Sequence, residues 1–226
     1  MKLTFPARRL FTSQPSRASP SGTVTESLRK AGSSWRTWIL TAFYFVTFGG
    51  FIALTVWFPT YWREYFGVSL VLAGSLTALY SLSASILRVF GGFTADRIGG
   101  EKTVFLSFLV VTGGAIVMML ASGSLALAVT GEMLLALGMG FANAAVFKLV
   151  PKYTPETVGG SAGIVGGLGA FGGFVIPPVM GLFVKLSGVE GYSQGFAVFL
   201  GLSLLSIALF IILNRYAPKS AAEAVA

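Results

Sequence analysis

Long runs of apolar residues, separated by short polar or charged stretches, make up the sequence from about residue 36 onward. The runs are continuous rather than alternating, which predicts helices and argues against strands. Each run has about 20 residues or more, the length that a helix needs to cross a ~30 Å hydrocarbon core. The pattern predicts an all-α, polytopic membrane protein whose six transmembrane helices cover residues 36–62, 68–93, 102–121, 125–150, 156–186 and 193–216.

The fifth predicted helix has an unusual load of glycine, at positions 159, 160, 163, 166, 167, 169, 172 and 173. An interior glycine costs a helix about 0.5–1 kcal/mol relative to alanine. In a bilayer, small residues compensate because they let helix backbones approach closely. Glycines four residues apart share a face, so we expect this helix to press against a neighbour or to line a narrow path. Pro177 and Pro178 predict a bend in its last third.

Composition agrees with a membrane protein and excludes several kinds of chemistry. The chain of 226 residues is 54% hydrophobic, and only 11% of its residues are charged, against about 25% in soluble domains. Its mean hydropathy is +0.80. It has no cysteine and no histidine, which excludes thiolate catalysis, disulfides and the usual haem and zinc ligand sets. We therefore expect no cofactor, no metal and no enzymatic activity.

The formal net charge of +8 allows two interpretations, a nucleic-acid partner or orientation in a membrane. Thirteen of the sixteen basic residues fall on the side of the N-terminus when the six helices are threaded, and only Arg63 and Lys185 fall on the other. Such asymmetry is typical of membrane orientation and places both termini in the cytoplasm. We expect a lipid bilayer, in a plasma (inner) membrane, as the environment and no nucleic acid as a partner.

The ends of the chain are polar. Residues 1–35 are basic with one acid, Glu26, which favours a disordered cytoplasmic tail or the remnant of a loop from a longer protein. An Arg- and Ser-rich, acid-poor stretch is also typical of an organellar transit peptide. Residues 217–226 predict a short cytoplasmic tail.

Two charged residues lie away from the ends of the predicted helices. Arg88 either extends to the cytoplasmic surface or acts as an anion clamp, since guanidinium offers a planar fork of donors to a planar oxyanion. Glu132 is either solvated near the outer surface, the interpretation we favour, or a proton carrier or a partner for a cation. No other acid lies within a predicted span.

Three further side chains admit a packing role and a binding role. Tyr44 and Phe48 lie four residues apart on one helix face, which suits either helix packing or two walls around a small flat ligand. Asn143 is an amide in an apolar helix, suited either to an interhelical hydrogen bond or to ligand contact. The stretch GGFTADRIGGEK at 91–102 predicts a tight, charged turn between the second and third helices.

Three segments together resemble a known family. Residues 91–99, GGFTADRIG, resemble the G-x-x-x-D-R-x-G loop of the major facilitator superfamily. With FANAAVFKLVPKY (141–153) and GIVGGLGAFGGF (163–174), the chain looks like the C-terminal six-helix half of a nitrate/nitrite porter of that superfamily, over about residues 35–216.

The resemblance implies a fold, a function and a site. It implies half of a major facilitator fold that moves nitrate and nitrite by alternating access, with the anion between two helical halves. Arg88 in LRVFGG would bind the anion, although Val89 replaces a frequent proline. The implied substrate-binding residues are Arg88, Tyr44, Phe48, Asn143, Gly163, Gly166, Gly167 and Gly169, and the implied conformational loop consists of Gly91, Asp96, Arg97 and Gly99.

One departure from the family keeps alternatives open. The family has twelve spans and this sequence predicts six, so we expect a second six-helix half, from a separate chain or from a second copy. The alternatives are a major facilitator half for another small anion and a truncated, non-transporting membrane fragment.

Overall fold

The computed structural model describes residues 23–216. Over that range the chain forms helices joined by short connections, and the range contains no strand. The helices are α1 (Val24–Gly32), α2 (Trp35–Tyr44), α3 (Gly50–Phe66), α4 (Leu70–Ile98), α5 (Gly100–Leu120), α6 (Leu125–Tyr153), α7 (Val158–Ala170), α8 (Gly172–Ser187), α9 (Gly191–Gln194) and α10 (Ala197–Tyr216). A π-helical segment (Phe45–Gly49) joins α2 to α3, and a 3₁₀ turn (Gly188–Glu190) joins α8 to α9.

Six helical segments of the described range are long and apolar enough to cross a membrane. The first, Trp35–Phe66, combines α2, the π-helical segment and α3. The fifth, Val158–Gln194, runs from α7 to α9, while α4, α5, α6 and α10 each form one segment. The sequence-based prediction of an all-α protein with six membrane-spanning helices is confirmed.

Helix α6 lies at the centre of the bundle, where it packs along both α4 and α5. Small residues on α6 make this close packing possible. A methyl group at Gly138 would lie 2.8 Å from the backbone oxygen of Ser107 on α5, and one at Gly140 would lie 2.7 Å from that of Ala84 on α4. Close backbone approach of this kind replaces the hydrophobic drive that lipid does not supply.

The predicted turn at 91–102 is wrong in its extent. Gly91 and Gly92 lie inside α4, which continues to Ile98, and only Gly99 makes the turn, with φ of 92°. Gly91 serves packing instead, because a methyl group there would collide with the backbone of Phe141 on α6. Gly91 therefore permits close packing of α4 against α6, and neither glycine ends the helix.

The fifth span has an interruption that the sequence did not predict. Pro177 and Pro178 lie within α8, whereas the interruption falls at Phe171, between α7 and α8. At that point Gly172 packs against the π-helical segment, and a methyl group on it would meet the backbone oxygen of Phe45 at 2.5 Å. Close packing against the first span, rather than proline, marks the interruption.

Part of the N-terminal tail is ordered, in contrast to the disorder predicted for residues 1–35. Helix α1 (Val24–Gly32) begins at Thr23, whose side chain accepts a hydrogen bond from the Glu26 N–H at 3.4 Å. The indole N–H of Trp38 donates to the carbonyl oxygen of Gly32 at 2.8 Å and ties the end of α1 to α2. Residues 1–22 and the predicted C-terminal tail, 217–226, lie outside the described residues.

Candidate functional site

The π-helical segment forms one wall of the candidate site. Gly49 on it packs against the junction of α7 and α8, where a methyl group would lie 2.6 Å from the Gly169 oxygen. The rings of Tyr44 and Phe48 stack at 4.9 Å between centroids, with an interplanar angle of 22°. Single-turn π-helical segments inside α-helices occur frequently at functional sites. The end of α2 and the π-helical segment thus present two aligned aromatic rings, Tyr44 and Phe48, where the first span contacts α7.

Arg88 on α4 lies against this aromatic wall. Its guanidinium carbon is 5.1 Å from the centre of the Phe48 ring, a cation–π contact. The side chain is half-buried, and its Nε has no hydrogen-bond partner within residues 23–216. A buried donor without a partner costs about 1–3 kcal/mol, which an anion binding to the guanidinium would recover. Arg88 therefore lies inside the bundle as a cation with unused donor capacity.

Asn143 lies on α6, which forms a second side of the site. The amide is buried, and neither its oxygen nor its nitrogen has a hydrogen-bond partner in the described part of the chain. Gly140, one turn earlier, packs against α4 at the backbone nitrogen of Arg88. The interhelical hydrogen bond considered from the sequence is not formed among the described residues, which leaves the amide available to a ligand.

The glycines of α7 divide into two groups. A methyl group at Gly169 would lie 2.8 Å from the Tyr44 ring, and one at Gly166 would lie 3.6 Å from Phe147, so these two adjoin the aromatic cluster. Gly163 and Gly167 are exposed, and a methyl group at Gly167 would meet nothing within 4 Å among residues 23–216. The structure therefore brings Gly166 and Gly169 to the candidate site and leaves Gly163 and Gly167 on an open face.

Phe147 is part of the cluster and was not singled out from the sequence. Its ring meets that of Tyr44 edge-on, with centroids 4.8 Å apart and an interplanar angle of 84°. It lies one turn after Asn143, and its side chain is 37% exposed. The i, i+4 spacing of Asn143 and Phe147 on α6 was the available signal, since such residues share a helix face.

A polar network joins the ends of α4, α5 and α6. The Lys148 ammonium forms an ion pair with Asp96 and donates to the Gly92 oxygen at 2.6 Å. Lys152 pairs with Glu101 at 2.7 Å. Of the predicted conformational loop, Asp96 joins α4 to α6 through Lys148, and Gly91 packs against the backbone of Phe141 on α6. Gly99 makes the turn between α4 and α5, and Arg97 is exposed.

Glu132 is deeply buried, so the favoured prediction of a solvated carboxyl is wrong. Its side chain on α6 is 0% exposed. Its neighbours include Trp62 and Tyr61 of α3 and Tyr80 of α4, and Met118 of α5 packs on the adjacent Gly131. This environment separates it from the aromatic cluster around Arg88.

The sequence also matches a protein-family profile, that of the Major Facilitator Superfamily, over residues 4–162 and 40–226. The chain belongs to the Major Facilitator Superfamily. Its fold agrees with this membership. It superposes with a TM-score of 0.64 and 17% identity on a bacterial homologue of the human lysosomal transporter Spinster, in an inward-facing, unoccupied conformation. The superposition covers 91% of this chain and 55% of the other.

Relatives within the superfamily carry names that refer to nitrate and nitrite. The "Nitrite extrusion protein" of Bacillus subtilis is 34% identical over 77% of this chain and 43% of its own length. The "Probable nitrate transporter NarT" of Staphylococcus haemolyticus is 30% identical over 88% of this chain and 50% of its own length. The "Probable nitrate/nitrite antiporter NarK1" of Thermus thermophilus is 35% identical over 64% of this chain. The chain spans about half the length of the curated relatives that it matches.

Proposed function

We propose that this chain forms one half of a membrane transporter that moves nitrate and nitrite by alternating access. The observation that carries the proposal is the state of Arg88, a half-buried cation placed 5.1 Å from the Phe48 ring with Nε unpartnered within residues 23–216. The names of the superfamily relatives support the choice of anion. Transport rather than enzymatic turnover is the activity proposed.

The chemistry of the candidate site suits a small planar oxyanion. Guanidinium donors lie in a plane and can form two parallel hydrogen bonds with two oxygens of one anion. Tyr44 and Phe48 offer aromatic walls, and the unpartnered amide of Asn143 can donate one further hydrogen bond to the anion. Each of these groups contacts only one or two atoms of a ligand, which favours an anion of a few atoms over a larger organic substrate.

A second six-helix half completes the proposed transporter. Sites of superfamily transporters lie between two related halves, and the relatives have about twice the length of this chain. The exposed glycine face of α7, at Gly159, Gly163 and Gly167, suits such a half because it permits close helix approach. The half belongs either to a separate chain or to a second copy of this one. The distribution of basic residues favours a plasma (inner) membrane with both termini in the cytoplasm.

Anion binding by the purified, assembled transporter tests this function directly. Arg88→Lys keeps the charge but removes the planar donor fork, a loss of about 1.5–3 kcal/mol for a charged hydrogen bond, or roughly 10- to 100-fold in affinity. Isothermal titration with nitrate and nitrite measures the change. Arg63→Lys, at an exposed position on α3, is the matched control and keeps wild-type affinity.

Two outcomes would contradict nitrate and nitrite transport through Arg88. Unchanged nitrite and nitrate affinity in Arg88→Lys means that the guanidinium does not bind the anion. Stronger competition by small organic anions than by nitrate or nitrite means a transporter of another substrate on the same fold. Proteoliposome uptake then distinguishes both from a non-transporting fragment, which binds and moves neither anion.

A further inference from the structure

Glu132 is a buried carboxyl that the proposed anion site does not use. It lies about two turns into α6, and its side chain is 0% exposed. Neither carboxyl oxygen has a hydrogen-bond partner anywhere in residues 23–216. A carboxyl group that is shielded from both water and protein donors is unusual, because buried polar groups are nearly always hydrogen-bonded.

Aromatic side chains of α3 enclose the carboxyl on one side. The indole N–H of Trp62 lies near Glu132, although the two groups do not reach hydrogen-bond geometry, and Tyr61 is near enough to interact with the carboxyl electrostatically. Tyr61 and Trp62 are both 0% exposed, and their rings lie 4.9 Å apart. The Trp62 N–H and the Tyr61 hydroxyl also lack partners within the described chain. Three unpartnered polar groups thus meet where α3 packs against α6.

The other helices around Glu132 supply no counter-charge. From α4, the titratable neighbour is Tyr80, whose hydroxyl donates to the sulfur of Met139 at 3.2 Å. From α5, Met118 packs against Gly131, and the charged residues of α5, Glu101 and Lys102, lie at the opposite end of that helix.

The charged residues nearest to Trp62 in the chain, Arg63 and Glu64, are exposed on the far side of α3. The ion pairs of the described chain join Lys30 to Glu26, Lys148 to Asp96 and Lys152 to Glu101, and none of them includes Glu132.

These surroundings decide the charge state of Glu132. An ionised carboxylate without water, cation or hydrogen bond is strongly disfavoured, whereas the neutral acid is tolerated. We propose that Glu132 is a proton-binding site, protonated while α3 is packed on α6 and deprotonated when that contact opens to water. On opening, the carboxyl O–H transfers its proton to water and leaves a carboxylate. On closure, the carboxylate takes a proton back from hydronium.

The proton site shares a helix face with the candidate anion site. Glu132 and Asn143 are separated by three turns of α6, about 16 Å along the axis. Movement of α3 away from α6 would therefore expose the Glu132 carboxyl to water, while the anion is bound about three turns further along α6, near Asn143. A link between proton release and anion movement rests on the proposed function, whereas the protonation of Glu132 does not.

Infrared spectroscopy of the full chain in an ester-free detergent tests the protonation by itself. A protonated carboxyl has a C=O stretching band, which an ionised carboxylate lacks and which shifts when the sample is moved into D₂O. At neutral pH we expect a band equivalent to one carboxyl per chain in the wild type, and its loss in Glu132→Gln. Glu64→Gln, an exposed acid of α3 near the same end of the bundle, is the matched control and keeps the band.

Glu132→Asp keeps the test decisive if the glutamine variant misfolds. It retains an acid at this position, so the C=O band should shift instead of disappearing. Absence of the band in the wild type at neutral pH, or its unchanged presence in Glu132→Gln and Glu132→Asp, overturns the proton site.

Transport in proteoliposomes tests the link to anion movement separately. We expect the wild-type anion flux to change with external pH across the neutral range and the Glu132→Gln flux to be independent of it. A pH-independent wild-type flux overturns the link. If the wild type moves no anion, the proposed function fails and the infrared result alone decides the proton site.

Discussion

Arg88 and Glu132 are ionisable side chains in the apolar part of the bundle, and each is surrounded by a different chemistry. Arg88 carries a permanent charge that lies over the Phe48 ring, where cation–π attraction contributes about 0.5–2 kcal/mol depending on desolvation. Glu132 has neither a cation nor a hydrogen bond within residues 23–216. Arg88 therefore stays charged and can bind an anionic ligand, whereas the surroundings of Glu132 favour its neutral, protonated form.

Gly91 gives the clearest prediction for a single residue. A methyl group there would collide with the Phe141 backbone, which cannot rotate away as a side chain could. We expect Gly91→Ala to destabilise the bundle by about 1–3 kcal/mol, as overpacking of a close contact usually does. Thermal unfolding in detergent, followed by circular dichroism, measures the change.

Gly74 provides the control on the same helix. It is exposed, and a methyl group there meets nothing within 4 Å in the described chain. Gly74→Ala should leave stability unchanged or raise it by up to about 1 kcal/mol through helix propensity. Equal unfolding temperatures for the two variants would contradict the close contact between α4 and α6.

The sequence offered some residues of the candidate site and missed others for one physical reason. Arg88, Tyr44 and Phe48 were predicted because a charge and an aromatic pair in an apolar helix are visible locally. Phe147 and the burial of Glu132 depend on which face of α6 meets its neighbours, a property that spacing along one helix does not contain. Packing of α3, α4 and α5 around α6 supplies the missing information.

At the scale of helices, Lys148 fastens the end of α4 to α6. Its ammonium pairs with the Asp96 side chain and also donates to the Gly92 oxygen, so it contacts two successive turns of α4. The Asp96 side chain is 67% exposed, which limits the contribution of the ion pair through solvent screening. The bond to the carbonyl of Gly92 remains when Asp96 is changed.

A double-mutant cycle separates these two contacts. We expect Asp96→Asn to cost at most about 1 kcal/mol in the free energy of unfolding, as exposed ion pairs do, and Lys148→Met to cost more because it removes both contacts. Denaturant titration of the two single variants and the double variant measures the coupling. A cycle on the exposed pair of Lys30 and Glu26 is the control. Equal costs for Lys148→Met and Asp96→Asn would exclude the bond to Gly92.

Helix existence was predictable, but helix interruptions were not. Apolar runs of membrane length specify six helices because a bilayer leaves the backbone little alternative. The sequence predicted a bend near prolines 177 and 178 but not the interruption at Phe171, and Gly91 suggested a turn that is a helix. Both differences arise where glycine brings two backbones together, since a close contact between helices overrides the local tendency of one of them.

At the scale of the whole molecule, the bundle has the form of half a superfamily transporter. It covers 55% of the Spinster homologue and about half of its curated relatives. The open face of α7 with Gly159, Gly163 and Gly167 is the surface that a second half would cover. A methyl group at Gly159 or Gly167 would meet nothing within 4 Å among residues 23–216, and at Gly163 only the Leu28 side chain at 3.9 Å. Such glycines lower helix stability and are favoured only where another helix packs closely on them.

The open glycine face of α7 predicts that the chain assembles with a partner. We expect the protein extracted from its membrane to have a protein mass above the 23.8 kDa of one chain, measured by light scattering with correction for detergent. Gly167→Leu should return it to single chains, since a bulky side chain prevents close approach of a partner helix. Gly201→Leu on α10, equally exposed and equally open within residues 23–216, should keep the larger mass. A wild-type mass of one chain would mean that the extracted protein needs no partner half. Equal masses for the two variants would mean that the partner half does not contact α7 at Gly167.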